Sequence, residues 1–472
     1  MKLRAFLASV FLATTAISLQ AGELPSITGY RLDMHFLLQD QRISVHATLS
    51  IRNDTRVPRD TLPFLLYRLL VVQQVTDSEG HPVDFTQDVI QLTDQHSMQA
   101  RKIIVHLPRI LNPGDSMNIA IDYSGYVFGY PEVMAYVHDR IDDTYSLLRP
   151  DAISYPVVAD GSFADLLAAY NNRFTYDLSA TVPRGYLVAC GGHLVSRREN
   201  AASATFEYRS QIATWRIDVA VAKFAVLNDY GKRILVYYLP GDSSGARRIL
   251  AASNDVVNLY STMFGRPKRY EGYTIIEIPD GWGSQAGDFY FLQTSAAFKD
   301  STSIGEVYHE IGHSWNVAPA DSIRRCRYFD EAFASFFEPL AIRAFQGDAA
   351  FNRRMAKDRE IFVRSAREDT EACTTPIAMY WKNELGRYSY TKGAWSLYVL
   401  FTVVGEKTFD AIVQSLLTEF QGRTISFEQY QSLCERIAKR NLSKYFNEWI
   451  YGAESSRLML ENLPVSEIAK RY

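Results

Sequence analysis

Cysteine is scarce in this sequence, which has four in 472 residues: Cys190, Cys326, Cys373 and Cys434. None of them has the spacing of a zinc finger, and four cysteines allow three disulfide pairings. A bridge between Cys326 and Cys373 is one interpretation, because both lie in the part of the chain that carries the metal motif described below. Four free, buried thiols are the other, and the sequence does not decide between them.

An excess of charge of one sign is also missing. The chain has 50 basic and 53 acidic residues, a formal net charge of −3, and the two signs are interspersed. This balance argues against a nucleic-acid-binding surface. No internal repeat, low-complexity tract or long linker occurs. Since 47% of the residues are hydrophobic and 22% charged, the chain has an ordinary globular composition, and its length predicts two or three domains.

The sequence contains a long apolar run only at its N-terminus. Met1 to Arg4 is positively charged, Ala5 to Leu19 is apolar, and Ala21 offers a small residue for cleavage. This pattern predicts a signal peptide over residues 1–21, and the run is too short for a typical membrane span, although an uncleaved anchor is the alternative. We therefore expect an exported, periplasmic or secreted protein with no membrane contact beyond this segment.

Residues 22–229 have the alternation of β-strands. Apolar residues alternate with polar ones from Tyr30 to Phe36 and again from Ile43 to Ile51, and a polar turn, Gln39 to Arg42, separates the two runs. The pattern predicts a hairpin with one buried face. It recurs from Met117 to Tyr123 and from Phe174 to Val182, so an N-terminal all-β, sandwich-like domain is expected.

Residues 230–472 have a different, mainly helical pattern. Strands are predicted from Ile234 to Leu239 and from Tyr273 to Ile278, with helical spacing between them from Ala246 to Phe264. Helical spacing resumes after Tyr390 and continues towards the C-terminus. The overall class is therefore α+β and multidomain, with a second, mainly helical domain over residues 230–472.

Residues 308–316 contain the pattern H-E-x-x-H. On a helix, residues four apart share one face, so His309 and His313 project side by side. Two neutral imidazoles in this arrangement can hold one zinc ion, and Glu310 can take a proton from water activated there. A chance pair of histidines on an ordinary helix is the alternative.

A third metal ligand is needed, and the aromatic segment from Tyr328 to Glu338 contains an acidic pair that would be costly to bury without a partner. This segment resembles the second zinc helix of the M1 aminopeptidases, which are gluzincin metallopeptidases with a thermolysin-like catalytic domain. The resemblance makes Glu331 the third ligand and Glu338 an acidic residue that orients the site. The gap between His313 and Glu331 is one residue shorter than is usual in M1. Residues 313–317 also resemble the M61 glycyl aminopeptidases.

Two further segments are compared with the M1 family. Tyr390 matches the tyrosine of its Y-x-K-G motif, which implies a hydrogen-bond donor to the oxyanion. Residues 281–289 stand where M1 enzymes have G-x-M-E-N, a strand that binds the peptide and whose glutamate holds the substrate's free amine. Here Ala286 replaces that glutamate. Asp288, two residues further on and so on the same face of the strand, could partly substitute for it, and a solvated loop residue is the alternative. The expected substrate-binding residues are Gly283, Ser284, Gln285, Ala286 and Asp288.

The resemblance implies a zinc-dependent aminopeptidase whose partner is a peptide or protein substrate. The residues themselves argue only for metal-assisted hydrolysis of an amide, with Glu310 as base and Tyr390 as oxyanion donor. A non-catalytic peptide-binding protein on a degenerate peptidase fold is the alternative, because the amine-binding glutamate is missing. Exopeptidase or endopeptidase specificity, side-chain preference and oligomeric state stay open.

Overall fold

A computed structural model describes residues 24–472 except residues 230, 232, 268, 269, 271, 383 and 384. The predicted signal peptide, residues 1–21, lies outside the described residues, as do two residues of the predicted domain boundary, 230 and 232.

The N-terminal part of the described chain is built from strands and one short helix. Its elements in chain order are β1 (Ser26–Leu37), β2 (Arg42–Arg52), β3 (Arg59–Tyr67), β4 (Leu70–Asp77), β5 (Phe85–Gln91), β6 (Gln99–Leu111), β7 (Ser116–Gly125), β8 (Tyr145–Leu148), β9 (Val157–Val158), α1 (Phe163–Ala169), β10 (Thr175–Pro183), β11 (Leu187–Cys190), β12 (His193–Glu199), β13 (Ser203–Arg209) and β14 (Val219–Ala222).

These strands form three sheets. A seven-stranded sheet has the order β12-β13-β10-β1-β2-β7-β4, a four-stranded sheet β5-β6-β3-β9, and a three-stranded sheet β11-β14-β8. The predicted hairpin is confirmed: β1 and β2 pair antiparallel, with Leu32 opposite Ala47 and Met34 opposite Val45. Inward residues of the two larger sheets share one hydrophobic core, in which Leu32 and Phe64 are completely buried. Alternation at period two thus buries one face of each strand.

The remaining chain contains most of the helices. Its elements are β15 (Ala225–Asp229), β16 (Ile234–Tyr238), α2 (Ser243–Phe264), β17 (Tyr273–Ile278), β18 (Gln285–Gly287), β19 (Tyr290–Thr294), α3 (Ser295–Lys299), α4 (Ile304–Gly312), β20 (Ala318–Pro319), α5 (Phe333–Gln346), α6 (Asp348–Glu368), α7 (Glu371–Thr374), α8 (Lys392–Val404), α9 (Glu406–Phe420), β21 (Thr424–Ile425), α10 (Phe427–Ala438), α11 (Ser443–Trp449), α12 (Glu454–Leu460) and α13 (Val465–Ala469).

A five-stranded sheet connects the two parts, in the order β15-β16-β17-β19-β18. The strand just before the predicted boundary, β15, pairs antiparallel with β16 just after it. The boundary at residue 229 therefore stays a prediction. Tyr145 and Leu147 of β8 share a small hydrophobic core with Ile276 of β17 and Leu292 of β19, so this sheet packs against the N-terminal β region. The predicted order of a β domain followed by a mainly helical one is confirmed.

Helix α4, which contains the first histidine of the H-E-x-x-H motif, packs closely against α5. A methyl group added to Gly312 would lie 3.4 Å from Cα of Ala334, so the two helices approach each other where α4 ends. Phe337 of α5 and Tyr260 of α2 are both completely buried in the core that surrounds this crossing. The ends of α4 and α5 are thereby held in a fixed relationship.

All four cysteines have free thiols, so a bridge between Cys326 and Cys373 is wrong. The two sulfur atoms have separate partners: that of Cys326 lies 3.6 Å from the Ala378 carbonyl and that of Cys373 3.7 Å from the Ala366 carbonyl. Among the described residues, no helix is both long enough and apolar enough to cross a bilayer.

Candidate active site

The two predicted metal-binding histidines lie side by side at the end of α4. His309 occupies the last turn of the helix, His313 begins the 3-10 turn that continues it, and their ring centroids are 4.9 Å apart. Val307 and Ile311 are completely buried and anchor the helix in the core. The i, i+4 spacing therefore places both imidazoles on one face, as the sequence predicted.

Glu331 reaches the same point from a different segment. It lies in a single π-helical turn, Tyr328–Ala332, that leads into α5. Oε2 of Glu331 is 3.2 Å from Nε2 of His309 and 3.6 Å from Nε2 of His313. Burial of the surrounding aromatic residues, Tyr328 and Phe329, holds the turn against the core. The three predicted ligands are thus brought together.

The geometry of these three residues fits a zinc ion. Their donor atoms all lie within 4.8 Å of one another. Zinc binds imidazole nitrogen and carboxylate oxygen at about 2.0–2.2 Å in a tetrahedral arrangement, which separates neighbouring ligand atoms by roughly 3.3–3.6 Å. The observed 3.2 and 3.6 Å agree with that separation. Three protein ligands also leave one tetrahedral position open, as catalytic zinc sites do.

Glu310 lies between the two histidines in sequence and is 8% exposed. Burial raises the pKa of its carboxyl above the usual value, although the nearby His309 and His313 act in the opposite direction. A carboxyl group with a raised pKa takes and returns a proton more readily near neutral pH.

Carboxylates close to the two histidines change the pKa values of both imidazoles. Burial by itself would lower the pKa of His313, but the carboxylates of Asp330 and Glu331 outweigh burial and raise the pKa to about 9. Burial would likewise lower the pKa of His309, but its hydrogen bond to Glu331 and the negative charges of Glu310 and Glu331 together outweigh burial and raise the pKa. Imidazoles must lose these protons to bind a metal, so metal affinity at this site depends on pH.

Tyr390 lies beside the histidines and precedes α8. It ends a 3-10 segment, Leu385–Tyr390, and its ring is stacked on that of His309 with centroids 5.9 Å apart and an interplanar angle of 10°. The side chain is 38% exposed. Desolvation, followed by the negative charge of Glu331, raises the pKa of the Tyr390 hydroxyl well above its usual value. The phenol therefore keeps its proton and can donate a hydrogen bond.

Three further residues contact the ligands and were not predicted as site residues. Asp330 Oδ1 lies 2.8 Å from Nδ1 of His313, and Arg327 binds both Asp330 and Glu331. The amide nitrogen of Asn316 lies 3.1 Å from Nδ1 of His313 and also donates a hydrogen bond to the Asp330 carbonyl. The sequence signal for Asp330 was the acidic pair that it forms with Glu331, but only Glu331 was predicted to be a site residue. Nothing in the sequence shows that Arg327, at the end of an apparent loop, turns back towards it.

Glu338 binds a different partner. Its carboxylate accepts two hydrogen bonds from Arg354 of α6, at 2.7 and 2.9 Å. It also packs on the start of α4, where a methyl group on Gly305 would lie 2.6 Å from Oε1. Among the described residues, these contacts of Glu338 lie near the start of α4, whereas His313 follows the end of that helix. The proposed role of Glu338 in orienting the site therefore stays a prediction.

Most of the predicted substrate-binding residues lie on or beside β18, at the edge of the five-stranded sheet. Ser284 precedes the strand, and its hydroxyl accepts hydrogen bonds from Gln293 and from the Thr294 amide. Ala286, at the centre of β18, pairs with Phe291 and is half-buried. Gly283, with a φ of +72°, packs against Tyr136 of the N-terminal part.

Gln285 joins this edge to a buried network of charges. Its side-chain oxygen accepts hydrogen bonds from Arg149 and Arg216, at 3.1 and 2.7 Å, and its amide donates to Asp151. Arg149 also pairs with Asp139, and neither side chain is accessible to solvent. The N-terminal domain thereby fixes the position of β18.

Asp288 follows the strand rather than belonging to it. Since β18 ends at Gly287, strand alternation does not place Asp288 on the face of Ala286. Its carboxylate forms an ion pair with Arg173 at 2.7 Å. Its expected contact with substrate stays a prediction.

An H-E-x-x-H helix and a buried glutamate from a second helical segment, in a chain with a β domain followed by a helical one, form a candidate site for metal-dependent hydrolysis. Residues 290–449 match the family model described as the Peptidase family M1 domain. The predicted resemblance to the M1 zinc metallopeptidases is therefore confirmed. This match supports a peptidase function and zinc as the metal.

Solved structures with the same fold come from Deinococcus radiodurans. An M1 zinc metallopeptidase from this organism has a TM-score of 0.64 at 18% identity, with 94% of this chain and 96% of that chain covered. A mutant of that protein bound to a Tyr-Ser-Ala substrate has a TM-score of 0.64 at 17% identity, covering 91% of this chain and 94% of that one. At these identities the likeness concerns the fold, including its two-domain order.

Proposed function

We propose that this protein is an exported, zinc-dependent peptidase that hydrolyses peptide bonds and resembles aminopeptidases. The observation that carries the proposal is the approach of Glu331 to His309 and His313 at 3.2 and 3.6 Å. Glu310 is buried close to both histidines, and the ring of Tyr390 is stacked on that of His309. A structure with a peptide bound is known for a protein of the same fold, which agrees with a peptide substrate.

The ligands and the two neighbouring side chains have distinct tasks. His309, His313 and Glu331 would hold the zinc ion, which when bound supplies Lewis acidity and so makes water nucleophilic at neutral pH. Glu310 accepts the proton of the attacking water and then returns it to the leaving amine. Its raised pKa, which burial causes, suits both transfers.

Tyr390 stabilises the charge that develops on the carbonyl oxygen. Its hydroxyl stays protonated and is held in advance beside the site by stacking on His309. A donor fixed before the reaction needs no reorganisation when the negative charge appears, and this is why such donors accelerate acyl transfer.

The edge of the five-stranded sheet offers a place for the substrate backbone. In the described residues, β18 pairs with β19 on one side and ends the sheet on the other. An extended peptide could add to the free edge through main-chain hydrogen bonds. Ala286 provides no carboxylate at this edge to bind a free N-terminal amine. Selectivity for substrates with such an amine is therefore a separate part of the proposal, with its own test.

A direct assay would test the reaction and its specificity together. Purified protein is analysed for zinc and then given fluorogenic amino-acid amides and matched peptides with acetylated N-termini. We expect hydrolysis of the amides, loss of activity with a chelator and its return with zinc. Cleavage of acetylated peptides alone would overturn the aminopeptidase part, and zinc without cleavage of either substrate would favour the non-catalytic peptide-binding protein.

Export is tested separately. We propose cleavage near Ala21, because a positive end and an apolar run precede it. Full-length chain expressed in a bacterium with an outer membrane should be recovered from the periplasm or medium with a shortened N-terminus. Recovery of the intact chain from the cytoplasm would contradict export.

A further inference from the structure

We propose that Asp330 and Arg327 are positioning residues for the metal ligands: Asp330 orients His313, and Arg327 orients Glu331. The proposal rests on the proposed zinc site and adds two residues that were not predicted as site residues from the sequence. Both contacts are direct. Asp330 Oδ1 lies 2.8 Å from Nδ1 of His313, and Arg327 binds the Glu331 carboxylate through Oε1.

The contact with Asp330 determines which nitrogen of His313 is free for a metal. A neutral imidazole carries its proton on one nitrogen, and a carboxylate can only accept, so the proton belongs on Nδ1. The amide nitrogen of Asn316 is also 3.1 Å from Nδ1, but it is a donor and cannot take that proton. Nε2, which faces Glu331 at 3.6 Å, is therefore left with its lone pair directed at the metal position.

Arg327 has the corresponding effect on Glu331. Its guanidinium binds Oε1, while Oε2 faces the two histidines. The same guanidinium donates to Asp330 Oδ2 at 2.8 Å, so one cation connects both carboxylates. Arg327 thereby holds Glu331 in the orientation that offers a single oxygen to the metal.

Backbone geometry explains how neighbouring residues can both reach the site. In an α-helix, consecutive side chains point about 100° apart. Here the wider π-helical turn, Tyr328–Ala332, follows a residue with positive φ, Arg327 at +56°, and directs Asp330 and Glu331 to adjacent sides of the histidines. The Asp330 carbonyl also accepts a hydrogen bond from Asn316 at 2.8 Å, which ties the turn to the segment after α4. Isolated π turns occur frequently at functional sites.

The test measures metal binding rather than turnover. Asp330→Ala, Asp330→Asn and Arg327→Gln are compared with wild type by zinc competition against a chromogenic chelator and by the absorption spectrum of the cobalt-loaded protein. Partners of metal-bound histidines contribute about 10–100-fold to metal affinity. We expect losses in that range for Asp330→Ala and Arg327→Gln, altered cobalt bands, and partial rescue in Asp330→Asn, whose amide oxygen can still accept from Nδ1.

A matched pair on the preceding loop provides the control. Asp321 and Arg324 form an i, i+3 ion pair like that of Arg327 and Asp330, but Asp321 is largely exposed and neither contacts a ligand in the described structure. Asp321→Asn and Arg324→Gln should leave zinc affinity and the cobalt spectrum unchanged. Thermal unfolding of each metal-free variant shows whether it is folded.

The two hypotheses fail in different ways. If wild type binds zinc and the folded Asp330→Ala and Arg327→Gln variants bind it as tightly, with the same cobalt spectrum, the positioning proposal is overturned and the zinc site is not. If wild type binds no zinc, the proposed function fails as well.

Discussion

Oε2 of Glu331 lies 3.2 Å from Nε2 of His309, although the two residues are 22 positions apart and belong to different helical segments. An unpaired carboxylate in this environment would be costly to bury, so the site needs positive charge. Arg327 supplies one cation and lowers the pKa of Glu331 in spite of burial. A divalent ion held by the carboxylate and the two imidazoles would supply the rest.

Glu331→Gln should therefore abolish tight zinc binding. The substitution keeps the size of the side chain but removes the anionic ligand, and a neutral amide oxygen is a poor ligand for zinc. We expect zinc to be lost on dialysis against a weak chelator, and peptide hydrolysis to be lost with it. Metal analysis of the dialysed protein checks this, and Glu406→Gln, a change at an exposed ion pair with Arg343, is the control. Full zinc occupancy in folded Glu331→Gln would contradict the assigned ligand.

Glu310→Gln should separate metal binding from catalysis. The amide cannot accept a proton from water, and general acid–base groups contribute about 10²–10⁴-fold to rate. We expect kcat to fall by that factor while zinc stoichiometry stays at one. Glu306→Gln, one turn earlier on α4 and bonded to Gln293, is the matched control and should retain activity. Unchanged kcat in Glu310→Gln would exclude Glu310 as the base. A non-catalytic peptide-binding protein would instead bind peptide as tightly in Glu310→Gln as in wild type.

Tyr390→Phe should slow the chemical step without loss of metal. Removal of one preorganised oxyanion donor costs about 10²–10³-fold in kcat. The effect should fall on kcat rather than KM, because the hydrogen bond strengthens only as charge develops. Tyr388→Phe is the control, since the hydroxyl of this nearby tyrosine binds Asp369 and should not affect kcat. Equal effects of the two substitutions would indicate a structural contribution.

The sequence predicted those parts of the site that depend on local spacing. His309 and His313 share a helical face because they are four residues apart, and the β1–β2 hairpin follows from alternation at period two. Glu331 required the family resemblance, because no local rule connects it with residues 22 positions earlier. Its approach depends on how α4 and α5 pack.

Other features depend on contacts or backbone conformations that spacing does not reveal. Asp330 reaches His313 only because residues 328–332 form a π turn. Gln285 bonds to Arg149, 136 positions away, through the packing of two domains. Asp288 was predicted to share a strand face with Ala286, but β18 ends one residue before Asp288, and Arg173 binds the carboxylate.

Ala286→Glu should increase selectivity for substrates with a free N-terminal amine. The prediction rests on the resemblance to the G-x-M-E-N strand, on which a glutamate holds the amine. A hydrogen bond to a charged group contributes about 1.5–3 kcal/mol, which corresponds to roughly a 10–150-fold change in kcat/KM. The ratio of kcat/KM for a free peptide over its acetylated form is measured for both proteins. Ala286→Gln adds the same volume without charge, so an equal change in this variant would contradict an ionic effect.

Lys392 provides a test that is independent of the metal. This completely buried lysine begins α8, and its amine donates to Ser456 at 2.9 Å. Burial lowers the pKa of Lys392 to about 7, whereas an unfolded lysine titrates near pH 10.4. Between these values the unfolded chain holds the proton and the folded protein does not. The contribution of Lys392 to the free energy of unfolding therefore rises with pH, by up to about 1.4 kcal/mol per unit, and is constant below pH 7.

Lys392→Met should remove this dependence. The stability of Lys392→Met relative to wild type should be greatest below pH 7 and should fall steadily from pH 7 to 9.5, which urea unfolding at several pH values measures. Taking the difference between two proteins cancels the titration of the metal ligands that both share. Lys407→Met, at an exposed position of α9, should follow the wild-type curve. The rings of Tyr380 and Phe362 lie 5.6 and 5.9 Å from the ammonium. If these rings stabilise the charged form enough to return the pKa of Lys392 to its unfolded value, the free energies of unfolding of Lys392→Met and wild type will change with pH in parallel. That result would contradict a pKa of about 7 for Lys392.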